Sequence, residues 1–419
     1  MQSIKSLYKI GHGPSSSHTM GPSSAAKYFK RLHPLADHFE VTLYGSLALT
    51  GRGHLTDQAI IHTMAPINTT INWNITDVSI EHANTMDFVA LRNKDIIGKA
   101  RIFSIGGGAI KIKGEAEKNV HFANVYKENK SEEILKLCKA QKLSLVDYIK
   151  KNERDVFWKH LNKVWHVMQQ SIKSGLKTTG VLPGKLKLQR RAKALFEISI
   201  KKMNDRHIDG NRNKLMSYAF AVAEHNASGG IVVTAPTCGA SGILPAVLRY
   251  AQEQLGISDN KIINALSIAG LIGNIARTNG SIAGAEAGCQ AEVGVACAMA
   301  AGAYTYLLKL SNTQIFNSAA DVLEHHLGLT CDPVLGYVQS PCIERNALAS
   351  LRALDAVDLI SLSSNKKTIF NYDDIIETML ETGKNMSKDY RETSQGGLAS
   401  IYAKKIDNKF KEKFDIKIS

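Results

Sequence analysis

The stretch NALSIAGLIGNIARTNGSIAGAEAGCQAEVGVACAMAAGA, Asn264 to Ala303, decides the fold of the second half of this chain. Small residues dominate it, and Ala, Leu and Ile recur in it at helical spacing. A helical run that is apolar on every side has to be buried, and small side chains let buried helices approach closely. The Gly-rich segment RTNGSIAGAEAGC interrupts the run with a turn. The same Ala, Leu and Ile pattern extends in both directions, so residues from about 190 onward read as nearly all helix. Two further Gly-rich breaks occur, at NASGGIVVTAPTCGASG and at GYVQSPC.

Upstream the pattern changes. FEVTLYG, Phe88 to Arg92 and Ala100 to Ile105 read as strands, as does Thr76 to Ile80, and GPSSAAKYFKRL reads as a helix with Pro22 and Ser23 near its start. Residues 126–189 are charge-rich, and Val156, Trp158, Leu161, Val164, Trp165 and Met168 predict an amphipathic helix there, ended by TTGVLPGKLK. The expected organisation is a multidomain α+β protein. An N-terminal α+β domain (1–125) leads through a helical connector (126–189) to an all-helical domain (190–405), followed by a basic tail (406–419).

The chain has 419 residues, 44% hydrophobic and 21% charged, as expected of a water-soluble protein of two or three domains. Its most apolar run, VGVACAMAAGAYTYLL, lies between Glu292 and Lys309 with only 16 residues between them, marginal for a bilayer. No membrane association is expected. MQSIKSLYKIGHG lacks the apolar core of a signal peptide, so a cytoplasmic location is expected. The formal net charge is +14. Its lysines are scattered and no aromatics interleave with a basic stripe, which argues against a nucleic-acid partner.

Six cysteines are too sparse for a disulfide scaffold. Cys138 and Cys297 sit on helical patterns and read as small buried hydrophobes. Cys289, Cys331 and Cys342 differ, because each lies on a Gly- or Pro-punctuated turn, in GAEAGCQAEVG, GLTCDPVLGY and QSPCIERNA. Their separations match neither paired zinc spacing nor the compact ferredoxin run. Three soft thiolates suit an iron–sulfur cluster with one iron left without a protein ligand, which points to Lewis-acid rather than redox chemistry. Cys238 is a weak candidate for a fourth ligand or a nucleophile.

Four other segments carry polar groups on bent backbone. GHGPSSSHTMGP gathers Ser15, Ser16, Ser17, His18 and Thr19 ahead of a helix, which suits a carboxylate or simply caps the helix. GSLALTGRGHLTD offers His54 as a general base or a surface histidine. EHANTMDF puts His82 and Asn84 on one face if extended. SIGGGAI offers a close backbone approach or a plain turn.

Together PSSSHTMGP, YGSLALTGRGHLTD, SIGGGAI, VVTAPTCGASGILPAV, GAEAGCQAEVG, LGLTCDPVLGYVQSPCIERNA and YRETSQGGLA resemble the bacterial iron–sulfur L-serine dehydratases (L-serine ammonia-lyases) in their single-chain form, over residues 8–402. The resemblance implies a [4Fe-4S] cluster on Cys289, Cys331 and Cys342, and conversion of L-serine to pyruvate and ammonia. It implies a homodimer with the site in the cleft between the two domain types. It assigns His54 as the base, Ser15 to Thr19 to the substrate carboxylate, and His82 and Asn84 to a closing loop. Two departures stand out. The family often has His-Pro-Asn-Gly-Met where this chain reads HANTM, and some members end in a cysteine that reaches the open iron, whereas this chain ends FDIKIS. That self-inhibition is not expected here. Rival readings are an iron–sulfur sensor without turnover, a hydroxyacid hydro-lyase, and a pyridoxal enzyme using Lys111 or Lys113.

Overall fold

A computed structural model describes all residues except 77–79, 115–123, 203–208, 363–367 and 414–419, and no side chains from residue 407 onward. The N-terminal part is α+β. Strands β1 (Ile10–His12), β2 (His38–Tyr44), β3 (Asn68–Asn74), β4 (Thr85–Arg92), β5 (Asp95–Ser104) and β6 (Ile110–Ile112) alternate with helices α1 (Gly21–Leu32), α2 (Gly45–Thr50) and α3 (Thr56–Met64). Five of these strands form one mixed sheet in the order β3-β2-β4-β5-β6. Strands β2 and β3 are parallel, which requires the α2–α3 crossover between them, while β2–β4, β4–β5 and β5–β6 are antiparallel. Along β2 the side chains of Phe39, Val41 and Leu43 alternate onto one face and are fully buried. Ala25, Ala26 and Phe29 of α1 and Ile60 and Met64 of α3 belong to the same small core. Each large apolar side chain so buried stabilises the fold by about 1.5–3 kcal/mol. Helix α1 begins with Pro22 in its first turn and ends just before Pro34, where the residue preceding proline resists the α conformation.

The sequence reading placed a strand at Thr76 to Ile80. Part of that segment lies outside the described residues, and the strand beside β2 is β3, Asn68–Asn74. Its half-exposed polar alternation, NTTINWN, carries little hydrophobic signal because it is an edge strand.

The remainder is helical. It comprises α4 (Ser131–Gln141), α5 (Leu145–Asn152), α6 (Asp155–Lys177), α7 (Ala192–Lys201), α8 (Gly210–Ala227), α9 (Ile243–Leu255), α10 (Asp259–Asn279), α11 (Gly284–Ala287), α12 (Val295–Leu307), α13 (Asn312–Glu324), α14 (Cys342–Leu362), α15 (Tyr372–Asn385) and α16 (Gly397–Lys413). In α6 Phe157, Leu161, Val164, Trp165, Met168 and Ile172 form the buried stripe, whereas Val156 is 55% exposed on the opposite face. A Cβ on Gly175 of this helix would stand 2.0 Å from the Ala221 carbonyl oxygen of α8, so only glycine fits that crossing.

The small-residue stretch becomes the centre of the helical core. Helices α10 and α12 are buried nearly all round, and a Cβ on Gly302 would meet Ile272 at 2.1 Å. Residues of α4–α6 share one continuous core with α8–α15, and so do Met1, Ile4, Leu7 and Tyr8. One short strand lies within the helical sequence. β7 (Ile231–Val233) pairs antiparallel with β1, Ile10 opposite Val233. The chain start is thereby fastened to the helical part directly ahead of the serine-rich turn. No described helix is long and apolar enough to cross a membrane.

Candidate active site

Cys289, Cys331 and Cys342 approach one another from three separate turns. Cys289 follows Gly288, whose φ of +71° and close approach to the Leu329 carbonyl demand glycine. It opens a π-helical turn, Gln290–Gly294, that runs into α12. Such turns recur at functional sites. Cys331 is held by its backbone. Its N–H donates to the Tyr390 carbonyl at 2.7 Å, and its carbonyl accepts the Glu392 N–H at 2.7 Å. Cys342 is the first residue of α14, and Asn346 one turn on donates to the Cys342 and Gly239 carbonyls while accepting the Gly242 N–H. The Cys289 and Cys331 sulfurs and a Glu292 carboxylate oxygen lie within 4.8 Å of one another, a group able to hold a metal ion. All three cysteines line one cavity.

The electrostatics favour one shared thiolate. A bond from Cys331 pulls Cys289 down to about 7, helped by the Arg345 guanidinium and opposed by burial. Cys331 is pushed up, first by that same bond, and Cys342 is pushed up by burial. Arg345 is itself clamped beside Cys331. Its Nη1 donates to the Thr330 carbonyl at 2.6 Å and its Nη2 lies 3.6 Å from Asp332. Cys238 is turned elsewhere, its sulfur 3.7 Å from the Met20 sulfur.

The same cavity is also lined by Ser15, His54 and Glu392. Ser15 caps a second π-helical turn, Ser16–Met20, which is continuous with α1. Ser16, Ser17, His18 and Thr19 are buried behind it. Thr19 Oγ1 donates to the His54 carbonyl at 2.7 Å, and Thr56 Oγ1 donates to the His18 carbonyl at 2.5 Å, so the serine turn and the His54 loop brace each other. The His18 and His54 rings stack with centroids 4.5 Å apart. His54 is only 1% exposed, which removes the surface reading.

Hydrogen-bond chemistry fixes both tautomers. His54 Nδ1 lies 3.0 Å from the Thr50 carbonyl, which accepts only, so Nδ1 carries the proton and Nε2 keeps its lone pair. Ser46 spends its one hydroxyl proton on the Glu392 carbonyl at 2.6 Å. His18 Nε2, 2.9 Å from Ser46 Oγ, therefore donates, and His18 Nδ1 accepts from Ser17 at 2.8 Å. Burial holds the His18 imidazole well below its ordinary value, and the neighbouring His54 adds to this.

Burial likewise pulls His54 down to about 4, against the Thr50 carbonyl. An unfolded chain takes up this proton near pH 6.5 and the folded one only near 4, so protons favour unfolding as pH falls through that window. His54 alone should cost the fold up to about 3 kcal/mol on acidification. Denaturant midpoints at about pH 7 and about pH 4.5 check it. The acid loss should shrink in His54→Gln, and an undiminished loss would show that the imidazole is not held neutral.

Glu392 and Glu292 line the cavity and were not picked out as site residues in the sequence. Glu392 Oε1 lies 3.4 Å from His18 Nδ1 and 3.9 Å from His54 Nε2, and its Oε2 is buried without a hydrogen-bond partner. Burial, then the Cys289 charge, pushes it up to about 8. Glu292, the second carboxyl on the cavity wall, is pushed up by burial as well. The only advance signal for Glu392 was its place in YRETSQGGLA.

His82 and Asn84 do not line the cavity. Their segment turns instead of extending. The Asn84 N–H donates to His82 Nδ1 at 3.0 Å, and His82 Nε2 lies 3.3 Å from Glu286 of α11. Asn84 is buried, with its Nδ2 3.4 Å from the Ser104 carbonyl.

Comparison with known proteins identifies the family. The family model described as serine dehydratase alpha chain matches residues 112–399, and that of the serine dehydratase beta chain matches residues 3–68. The L-serine dehydratase 2 of Escherichia coli K12 is 38% identical, over 95% of this chain and 98% of that protein. An L-serine dehydratase of Haemophilus influenzae Rd is 40% identical, over 95% and 99%. One from Helicobacter pylori J99 is 34% identical, over 95% and 98%. With both regions on one polypeptide and each relative covered almost end to end, the chain belongs to the serine dehydratase family.

Proposed function

We propose that the chain is an iron–sulfur-dependent L-serine dehydratase that forms pyruvate and ammonia. The observation that carries this reading is one cavity lined by three thiols and by a neutral imidazole whose Nε2 is free. The names of the relatives support the substrate. Soft sulfur donors converging from three turns suit a [4Fe-4S] cluster on Cys289, Cys331 and Cys342, and Cys238 is not on the wall to add a fourth. When bound, that cluster supplies a Lewis acid for the departing hydroxide.

The chain's own residues account for the remainder. His54 Nε2 takes the α-proton of serine, and its Nδ1 bond to Thr50 keeps that lone pair aimed into the cavity. The turn Ser15 to Thr19 binds the substrate carboxylate, because the first N–H groups of a helical segment lack intrahelical acceptors and favour anions. The turn with His82 and Asn84 closes over the substrate; its bond to Glu286 already docks it beside the Cys289 segment. Loss of water leaves aminoacrylate, which tautomerises to an imine and hydrolyses to pyruvate and ammonia. The protein works as a cytoplasmic homodimer.

Anaerobic incubation of the reconstituted protein with L-serine, L-threonine and malate tests the reading. Pyruvate and ammonia from L-serine are expected. An intact cluster without turnover would leave only a binding or sensing protein, and malate turnover without serine turnover would make it a hydroxyacid hydro-lyase.

A further inference from the structure

We infer that Glu392 is the residue that recognises the α-ammonium group of the substrate and so makes the site select amino acids over hydroxyacids or simple carboxylates. The inference rests on the dehydratase reading for the identity of the substrate and on geometry for the rest.

Glu392 is 4% exposed and lines the cavity. The tautomers derived above turn lone pairs, not protons, toward its Oε1. His18 Nδ1 is already an acceptor from Ser17, and His54 Nε2 is bare. Its Oε2 makes no hydrogen bond of good geometry, although the Ala285 N–H and the Ser17 hydroxyl lie near the carboxyl and favour its charged form. Oε2 is thus a buried acceptor without a well-placed donor, and an acceptor left unmade there is costly. An ammonium group brings three N–H donors and a positive charge, which would satisfy Oε2 and favour the carboxylate.

The residue is also held in place for such a task. Its φ of +59° is a strained conformation for a glutamate. The backbone is pinned on both sides, its N–H to the Cys331 carbonyl and its own carbonyl to the Ser46 hydroxyl. Glu392 thus stands between the cluster wall and the base, where the α-carbon of a substrate lies if its proton is to reach His54 Nε2. Glu292 is the other carboxyl on the wall, but its Oε2 lies 3.9 Å from the Cys331 sulfur, which places it among the thiols.

L-Alanine and propionate separate the claim from turnover, since neither carries a leaving group and they differ by the ammonium. Calorimetric titration of the anaerobic holoenzyme should show that L-alanine binds the wild type more tightly than propionate does. In Glu392→Gln the L-alanine Kd should rise by about 10- to 150-fold, the worth of a hydrogen bond to a charged group, while the propionate Kd moves by less than about threefold. Circular dichroism and visible absorbance should match the wild type, and Glu392→Asp, which keeps the charge, should retain part of the preference. Equal losses for both ligands, no loss for either, no preference in the wild type, or an amine-specific loss in Glu292→Gln instead would each overturn the assignment. Serine turnover is followed in the same preparations. Amine-selective binding without turnover would sink the dehydratase reading and leave this one standing.

Discussion

Cys331→Ala is expected to lose the broad visible absorbance of an iron–sulfur chromophore and essentially all dehydratase activity. The substitution removes one of only three sulfur donors, and a cluster with two protein ligands is not retained. The fold should survive it. The contacts that hold residue 331 in place are backbone bonds, from its N–H to Tyr390 and from Glu392 to its carbonyl, and alanine keeps both. Loss of iron and acid-labile sulfide with an unchanged far-UV spectrum is therefore the specific expectation. Cys138→Ala is the control, because that thiol is packed in the helical core, away from the cavity. It should keep the full cluster. An intact chromophore in Cys331→Ala would remove this residue from the ligand set.

The second large effect is expected at His54. His54→Ala should keep its cluster absorbance and lose turnover by roughly 10²–10⁴-fold, the usual cost of deleting an acid–base group. That corresponds to about 3–5 kcal/mol of barrier. Two readouts distinguish a lost base from a collapsed pocket. The variant should still bind L-alanine, and it should fail to exchange the α-proton of serine with solvent deuterium. Near-normal turnover would move the base to another group, with His18 the nearest imidazole.

Much of this was legible in the sequence, for identifiable reasons. The stretch from Asn264 to Ala303 announced a crowded helical core because small residues dominate it, and at Gly302 a Cβ would press on Ile272 of the packed helix α10. The three cysteines were recognisable because each broke the helical pattern instead of riding on it. His54 and Ser15 likewise stood out on bent, glycine-rich backbone, and both line the same cavity. Glu392 was not legible. Its position depends on a bridge between residues 331 and 391 far apart in sequence, and on a left-handed backbone that nothing about glutamate foretells. The pairing of β1 with β7 was hidden for the same reason, since a three-residue strand gains its meaning only from its partner. For His82 and Asn84 the extended alternation did not apply, because the segment bends back on itself.

The bond from Ser46 to the Glu392 carbonyl, beside the one from Glu392 to Cys331, has a bearing on biosynthesis. The histidines leave the ribosome early and the cysteines later, while Glu392 follows His54 by more than three hundred positions. A nascent polypeptide therefore carries exposed thiols before the segment that seals them has been translated. A cluster on those thiols would have to enter either in that interval or by opening the stitch that shuts the chamber.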